Sequence, residues 1–227
     1  MTIAIALKVG DGVVLGVDSA ATLSGEGGVA NVYFNAEKLT NLVKGLPLGM
    51  ASYGLGGLDG RSVTSLSKDL RQLFTGTDPA WRVDPAHYTM QWVAGTAVWA
   101  GAPEALNRLF CGWSSQVFNG MVASGIAAKN VEQFLTSLQM EPLIAPAMPL
   151  QDAIDLVKYM VDVTVGFLRF IPGPPTVAEP TDVAAITKHE GFRWVRRKHY
   201  YSTELNPPPV PSMTMDQGTP PGGNSAP

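Results

Sequence analysis

The sequence has one cysteine and few charged residues among its 227 positions. With Cys111 alone no internal disulfide can form, and such a chain is typical of a reducing compartment, so we expect a cytoplasmic protein. Charged residues make up 15% of the chain, against roughly 25% in an average domain. This shortage argues against a disordered chain and indicates that much of the surface is covered, for example by subunit contacts.

Basic residues are scarce as well, with 16 Lys and Arg against 19 Asp and Glu. Nucleic-acid-binding domains usually carry a basic surplus, so no nucleic-acid partner is expected. The histidines are scattered, and neither they nor Cys111 form a pair at ligand spacing, so no metal site is expected. The glycine-rich residues 54–57 match neither the dinucleotide nor the P-loop pattern, so the sequence predicts no cofactor.

Two stretches without Asp, Glu, Lys or Arg, residues 85–103 and 109–128, raise the question of a membrane segment. Both are diluted by Ser, Thr, Gln, Asn or Gly, which favours buried or interface helices and no membrane partner. No basic leader precedes the first apolar run, and Lys8 ends it, so no secretory signal is expected.

The order of predicted elements indicates one layered α+β domain over residues 1–205. Residues 3–9 and 13–17 are apolar and flank a Gly-Asp-Gly turn, which predicts a hairpin buried on both faces. Residues 206–227 are rich in Pro, Gly, Ser and Thr, and they predict a disordered tail.

Further elements follow from apolar patterning and turn residues. Strands are predicted as a pair at 32–34 and 38–43, as a short run at 48–52, and as a hairpin at 181–187 and 192–195. Helices are predicted at residues 58–74 and 149–170, with helical turns at 104–110 and 129–138 and a helix start at 84–85. The middle of the chain has few period-two runs; Val98 and Trp99, for example, lack the alternation of a half-buried strand.

Thr2 is the most informative residue for function. Aminopeptidases commonly remove an initial methionine that precedes a small residue, and loss of Met1 would make Thr2 the N-terminal residue. A terminal threonine has a hydroxyl nucleophile and, in its own α-amine with an ordinary pKa of about 7.7–8.0, a general base. Threonine at position two is common, so this signal needs support from the residues that follow.

The sequence TIAIALK at residues 2–8 is followed by DGVVLGVDSAAT at residues 11–22. This order of terminal Thr, apolar strand, glycine turn, apolar strand and Asp-Ser resembles the opening of proteasome β-type subunits, and bacterial proteasome-like subunits most closely. The spacing from Thr2 to Asp18 matches that family without a gap. Lys38 resembles the family's catalytic lysine, reached after a few extra residues in a loop at 23–29.

The resemblance implies a four-layer αββα sandwich of the N-terminal-nucleophile hydrolase type. Because the middle of the chain shows few strands, we expect the second sheet to have fewer strands than the family norm. Thr2 would be the nucleophile, with Asp18 and Lys38 as the other catalytic residues. Gly54 would supply an oxyanion-binding N–H group, and Thr22 would pair with an extended peptide.

The activity implied is that of a threonine endopeptidase, which cleaves peptides or unfolded polypeptides inside a homo-oligomeric ring. An ATPase unfoldase is a further implied partner. Two alternatives stay open: a non-catalytic proteasome-like ring subunit, and an N-terminal-nucleophile amidase that acts on a small amide. The family also has serines and an aspartate from its C-terminal half near the nucleophile, for which Asp182 is the candidate acidic residue.

Overall fold

The structure is a computed structural model that describes residues 2–54, 56–76, 95–137 and 144–199. A five-stranded antiparallel sheet is formed by β1 (Ile3–Lys8), β2 (Gly12–Val17), β9 (Thr96–Gly101), β10 (Asp182–Thr187) and β11 (Gly191–Arg196). The spatial order of these strands is β11-β10-β2-β1-β9. Strands from both ends of the chain therefore meet in one core, as the sequence predicts.

The described residues also form two-stranded antiparallel units and helices. The strand pairs are β3 (Ala21–Gly25) with β4 (Gly28–Tyr33), β5 (Leu39–Asn41) with β6 (Gly49–Ala51), and β7 (Gly57–Leu58) with β8 (Arg61–Ser62). The helices are α1 (Val63–Gly76), α2 (Glu104–Leu106) with a following π-helical turn (Asn107–Cys111), α3 (Ser115–Ala123), α4 (Ala128–Ser137) and α5 (Leu150–Arg169).

The central strands are apolar on both sides because both faces of the sheet are covered. Alternate residues Ile3, Ile5 and Leu7 are buried in a cluster with residues of α5, and each such side chain contributes roughly 1.5–3 kcal/mol by leaving water. Helix α5 lies so close to β2 that a Cβ at Gly16 would be 2.5 Å from a methyl group of Val157. Glycine at this position therefore sets the distance between helix and sheet.

The opposite face of the sheet packs against the β5–β6 hairpin. Leu39 of β5 is fully buried in a second cluster with Leu15 and Val17 of β2. Helix α1 lies next to the same hairpin, since Thr40 and Ser67 place their hydroxyl oxygens 3.4 Å apart. In the described part of the chain, α5 therefore packs on one face of the five-stranded sheet, the β5–β6 hairpin packs on the other, and α1 lies next to that hairpin. The N-terminal-nucleophile sandwich stays a prediction.

Several sequence predictions are confirmed. The hairpins at both ends of the chain form as β1–β2 and β10–β11. The predicted helix at 149–170 corresponds to α5, and the helical turns at 104–110 and 129–138 correspond closely to α2 with its π-turn and to α4. The helix start at 84–85 and the tail at 206–227 lie outside the described residues.

The predicted pairing of residues 32–34 with 38–43 is wrong. Residues 32 and 33 belong to β4, whose partner is β3, and β5 pairs with β6. Residues 23–29, predicted as a loop, instead form the end of β3, the turn and the start of β4. This hairpin is largely exposed, so it lacks the apolar alternation by which a half-buried strand is recognised.

Two further predictions need correction. Helix α1 begins at Val63 and not at residue 58, because the chain first forms the β7–β8 pair. Val98 and Trp99 lie in strand β9, where exposed and half-buried positions alternate at the start; the apolar composition of this strand hides that alternation. The predicted scarcity of strands in the middle of the chain also concerns residues 77–94 and 138–143, which lie outside the described residues. No helix among the described residues has the length and apolar character needed to span a bilayer.

Candidate active site

The nucleophile candidate Thr2 immediately precedes β1 and is 7% exposed. In the antiparallel β1–β2 register, Ala4 lies opposite Val17, which brings the start of β1 beside the residues that follow β2. Asp18 is the first of these residues, and its Oδ1 accepts a hydrogen bond of 3.0 Å from the backbone N–H of Ile3. The close approach of Thr2 and Asp18 is therefore a direct result of the hairpin register.

Lys38 precedes β5 and directs its ammonium group to three acceptors. Its Nζ lies 2.8 Å from Thr2 Oγ1, 2.7 Å from Asp18 Oδ1 and 2.5 Å from the carbonyl oxygen of Ala20. An ammonium group has three N–H donors, so these contacts use all of them. The arrangement fixes the lysine head group and aims one donor at the threonine hydroxyl oxygen.

Asp18 is fully buried, and its carboxylate is held by hydrogen bonds on both oxygens. Besides Ile3 and Lys38 at Oδ1, the backbone N–H groups of Ala20 and Ala178 donate to Oδ2 at 2.9 and 3.4 Å. A buried carboxylate needs such partners, because an unpaired charge is costly away from water. These bonds orient Asp18 toward Lys38.

The environment changes the proton affinity of Lys38. Burial lowers the pKa of Lys38 from its ordinary value, the carboxylate of Asp18 partly offsets this effect, and the nearby charge of Lys198 lowers the pKa further. The charged form of Lys38 is thus held by Asp18 in a place that otherwise disfavours it. An ammonium group in this state can stabilise negative charge that develops on Thr2 Oγ1.

A cavity of about 630 Å³ opens beside this trio and is lined by Thr2 and Lys38. Thr22 of β3 and Gly54 line the same cavity. Gly54 has a φ of 83°, which favours glycine, and no atom lies within 4 Å of the place where a Cβ would stand. Thr2, Thr22, Lys38 and Gly54 therefore line the cavity, and Asp18 accepts a hydrogen bond from the wall residue Lys38.

Other residues of the cavity wall were not predicted from the sequence. The aromatic side chains of Tyr33, Phe34 and Tyr53 line it, together with the carboxylate-bearing Glu37. Lys68 lies 3.2 Å from the Glu37 carboxylate. Tyr33 and Phe34 are substantially exposed at the end of the β3–β4 hairpin, and exposed aromatic residues carry no periodic signal by which a sequence would place them at a site.

Gly101 is a second residue that the sequence did not reveal. It lies opposite Ile3 in the β1–β9 pairing, and a Cβ there would collide with the carbonyl oxygen of Thr2. Its φ of 102° is also one that favours glycine. Glycine at this position thus allows β9 to lie directly against Thr2.

We expect Gly101→Ala to destabilise the fold and to displace Thr2. The left-handed backbone alone costs about 1–2 kcal/mol for a residue with a Cβ, and the collision adds to this cost. The free energy of unfolding from urea titration should fall accordingly. Gly27→Ala is the matched control, because a Cβ there meets nothing within 4 Å; equal stability of the two variants would contradict this account.

Asp182, the candidate acidic neighbour of the nucleophile, pairs with a residue that the sequence did not indicate. Its carboxylate binds the ammonium group of Lys198 and accepts a 2.9 Å hydrogen bond from the Lys198 backbone N–H. The same ammonium group donates to Ser19 Oγ at 2.7 Å. Asp182 is therefore connected to the site through Lys198 and Ser19.

Within the ranges that the structure describes, no group of three or more His, Cys, Asp or Glu side chains is arranged to hold a metal ion. The sequence matches no protein-family model, and it matches no curated protein.

Proposed function

We propose that this protein is a threonine peptidase of the proteasome type, in which removal of Met1 exposes Thr2 as an N-terminal nucleophile. The observation that carries this proposal is the contact of one buried ammonium group, that of Lys38, with both Thr2 Oγ1 and the Asp18 carboxylate. A threonine that served only the fold would not need a buried charge at its hydroxyl group, since burying an ion is costly.

In the proposed reaction, Thr2 Oγ attacks the carbonyl carbon of a peptide bond, and the hydroxyl proton passes to the α-amine of the same residue. The Lys38 ammonium group stabilises the negative charge that develops on the attacking oxygen. The backbone N–H of Gly54 donates to the carbonyl oxygen as it becomes an oxyanion.

The tetrahedral intermediate collapses when the C–N bond breaks and the α-amine returns its proton to the leaving amine. This leaves an ester between Thr2 Oγ and the acyl part of the substrate. A water molecule then gives a proton to the α-amine and attacks the ester, which releases a carboxylic acid and restores the hydroxyl group of Thr2. The amine thus acts as base and acid in turn, and no histidine is needed.

A peptide is the substrate class that we favour over a small amide. The cavity wall includes Thr22 of the exposed strand β3 and Gly54 of the segment after β6. An extended polypeptide between these segments would add backbone hydrogen bonds as an extra strand. A homo-oligomeric ring, an ATPase unfoldase partner and a cytoplasmic location are parts of the same proposal, and they are supported by the resemblance and composition alone.

The intact mass of the purified protein tests the first step. We expect loss of Met1 and then a single adduct with a peptide epoxyketone, a reagent that needs both a hydroxyl group and a free α-amine on one residue. Peptide mapping should place the adduct on Thr2.

The control is the same chain with a glutamate inserted after Met1, which keeps the methionine and blocks the amine of Thr2. This variant should form no adduct. Retention of Met1 in the parent protein would contradict the proposal and favour the non-catalytic ring subunit.

A further inference from the structure

A second buried Lys–Asp pair lies next to Asp18 and has no part in the proposed reaction steps. The side chains of Lys198 and Asp182 are 7% and 2% exposed, and they form an ion pair. Lys198 also donates a hydrogen bond of 2.7 Å to Ser19 Oγ, a residue that is fully buried. Because burial of each ion costs several kcal/mol before pairing, a second pair at this place calls for a specific role.

Ser19 connects this pair to both charged residues of the site. It follows Asp18 directly in the sequence, and its backbone carbonyl accepts a 2.9 Å hydrogen bond from the N–H of Ala36, two residues before Lys38. Its own N–H donates to the carbonyl oxygen of Ala178 at 3.2 Å. Movement of Ser19 would therefore disturb the segment that carries Asp18 and the segment that leads to Lys38.

We propose that Lys198 is a positioning residue for this site: it fixes the Asp18 segment through Ser19 and places a second positive charge near Lys38. The inference rests on the proposed function only in taking Lys38 as the lysine that acts on Thr2. Because Lys198 follows strand β11, the C-terminal part of the described chain is tied by this contact to the residues around the nucleophile.

The charges around Lys38 give the sign of the expected effect. The titratable and charged groups near Lys38 are Asp18, Lys198 with its partner Asp182, the Glu37–Lys68 pair and, once Met1 is removed, the α-amine of Thr2. Lys198 lowers the pKa of Lys38, in addition to the larger effect of burial, while Asp18 raises it. Loss of the Lys198 charge removes a repulsion and leaves Asp182 unpaired, and both changes raise the pKa of Lys38.

The titration of Lys38 can be measured without any hydrolysis assay. Short pulses of acetic anhydride at a series of pH values label neutral amines, and peptide mass spectrometry gives the midpoint for each lysine. We expect Lys198→Met to raise the Lys38 midpoint above that of the parent protein. Lys198→Arg keeps the charge and should leave the midpoint close to that of the parent protein. An unchanged midpoint in Lys198→Met would overturn the proposal.

A double variant, Lys198→Met with Asp182→Asn, provides the same comparison if the single variant fails to fold. Replacement of both members of a buried pair by neutral residues is often tolerated, whereas removal of one leaves an uncompensated charge. The cation is absent here too, but the opposing charge of Asp182 is lost with it. Because Lys198 is the member of the pair that lowers the pKa of Lys38, the Lys38 midpoint should still rise, although without the contribution of an unpaired Asp182, and a midpoint at or below that of the parent protein would overturn the proposal.

Peptide hydrolysis as a function of pH separates this inference from the proposed function. If Lys38 acts as an ammonium group, activity falls as the pH rises through the pKa of Lys38. The pH at which activity falls should therefore be higher in Lys198→Met than in the parent protein, and close to the parent value in Lys198→Arg. A raised midpoint in a protein that hydrolyses no peptide would support the positioning role and contradict the peptidase. Hydrolysis by the parent protein, together with an unchanged Lys38 midpoint in Lys198→Met, would support the peptidase and contradict the positioning role of Lys198.

Discussion

Under the proposed function, replacement of Thr2 by alanine is expected to reduce peptide hydrolysis by about four orders of magnitude or more, as removal of the nucleophile does in serine proteases. The fold should persist, because Thr2 lies outside β1 and only a hydroxyl and a methyl group are lost. Thr2→Ser keeps the hydroxyl group and the α-amine, and it should retain part of the activity. The measurement is kcat/KM with a fluorogenic peptide, together with a thermal melt of each variant.

Thr187→Ala is a suitable control for this substitution. Thr187 is a buried threonine of the same sheet, but it pairs with Gly12 at the end of β2 far from Asp18. Its hydroxyl oxygen accepts a hydrogen bond from the Glu190 backbone N–H in the adjacent turn, so the variant loses some stability and should keep its activity. Hydrolysis by Thr2→Ala at the parent rate would show that another group is the nucleophile.

The proximity of Thr2 and Asp18 was predictable because it depends on local structure. Two apolar runs around a Gly-Asp-Gly turn define a hairpin, and its antiparallel register brings residue 18 beside the start of the chain. Side chains alternate between faces along such strands, so the burial of Ile3 and Ile5 on one side was predictable as well. The hydrogen bond between Ile3 and Asp18 therefore requires no knowledge of a distant segment.

Lys38 is less local, and its placement from the sequence depended on the resemblance. Between Asp18 and Lys38 the chain forms the β3–β4 hairpin, in which residues 23–29 were predicted as a loop and residues 32–34 as a strand with the wrong partner. An insertion of this kind leaves the ends of a hairpin in place, because antiparallel strands bring them together again. The proximity of Lys38 to Thr2 and Asp18 therefore did not depend on the strand pairing between residues 18 and 38, which was predicted wrongly.

Gly101 and Lys198 could not be predicted, because their partners are remote in the sequence. Lys198 and Ser19 are 179 positions apart, and neither residue lies in a motif that indicates the other. Gly101 is one of many glycines in the chain, and only the β1–β9 register shows that it contacts Thr2. Such contacts depend on which strands become neighbours in the sheet, and local propensity does not determine that order.

Lys38→Met is expected to lower kcat by about three orders of magnitude, comparable to the loss of a strong oxyanion-stabilising donor. Methionine fills similar space but has no N–H donor, so it cannot stabilise charge on Thr2 Oγ1. It also leaves the buried Asp18 carboxylate without its ion-pair partner, which should lower the free energy of unfolding by several kcal/mol. The assay is steady-state hydrolysis at several pH values, with unfolding by urea measured in parallel.

Asp18→Asn tests the same ion pair from its other side. Each oxygen of Asp18 accepts hydrogen bonds from two donors, so an amide NH₂ group in either orientation would face N–H donors. We therefore expect a large loss of both activity and stability in this variant.

Lys158→Met is the control for Lys38→Met, since Lys158 lies on α5 and pairs there with Asp155. The kcat of Lys158→Met should stay within about twofold of the parent value, as expected for a surface pair. If Lys38→Met turned over peptide as fast as Lys158→Met, the ammonium group at Thr2 would have no part in the chemistry, and the catalytic site would have to be sought elsewhere in the chain.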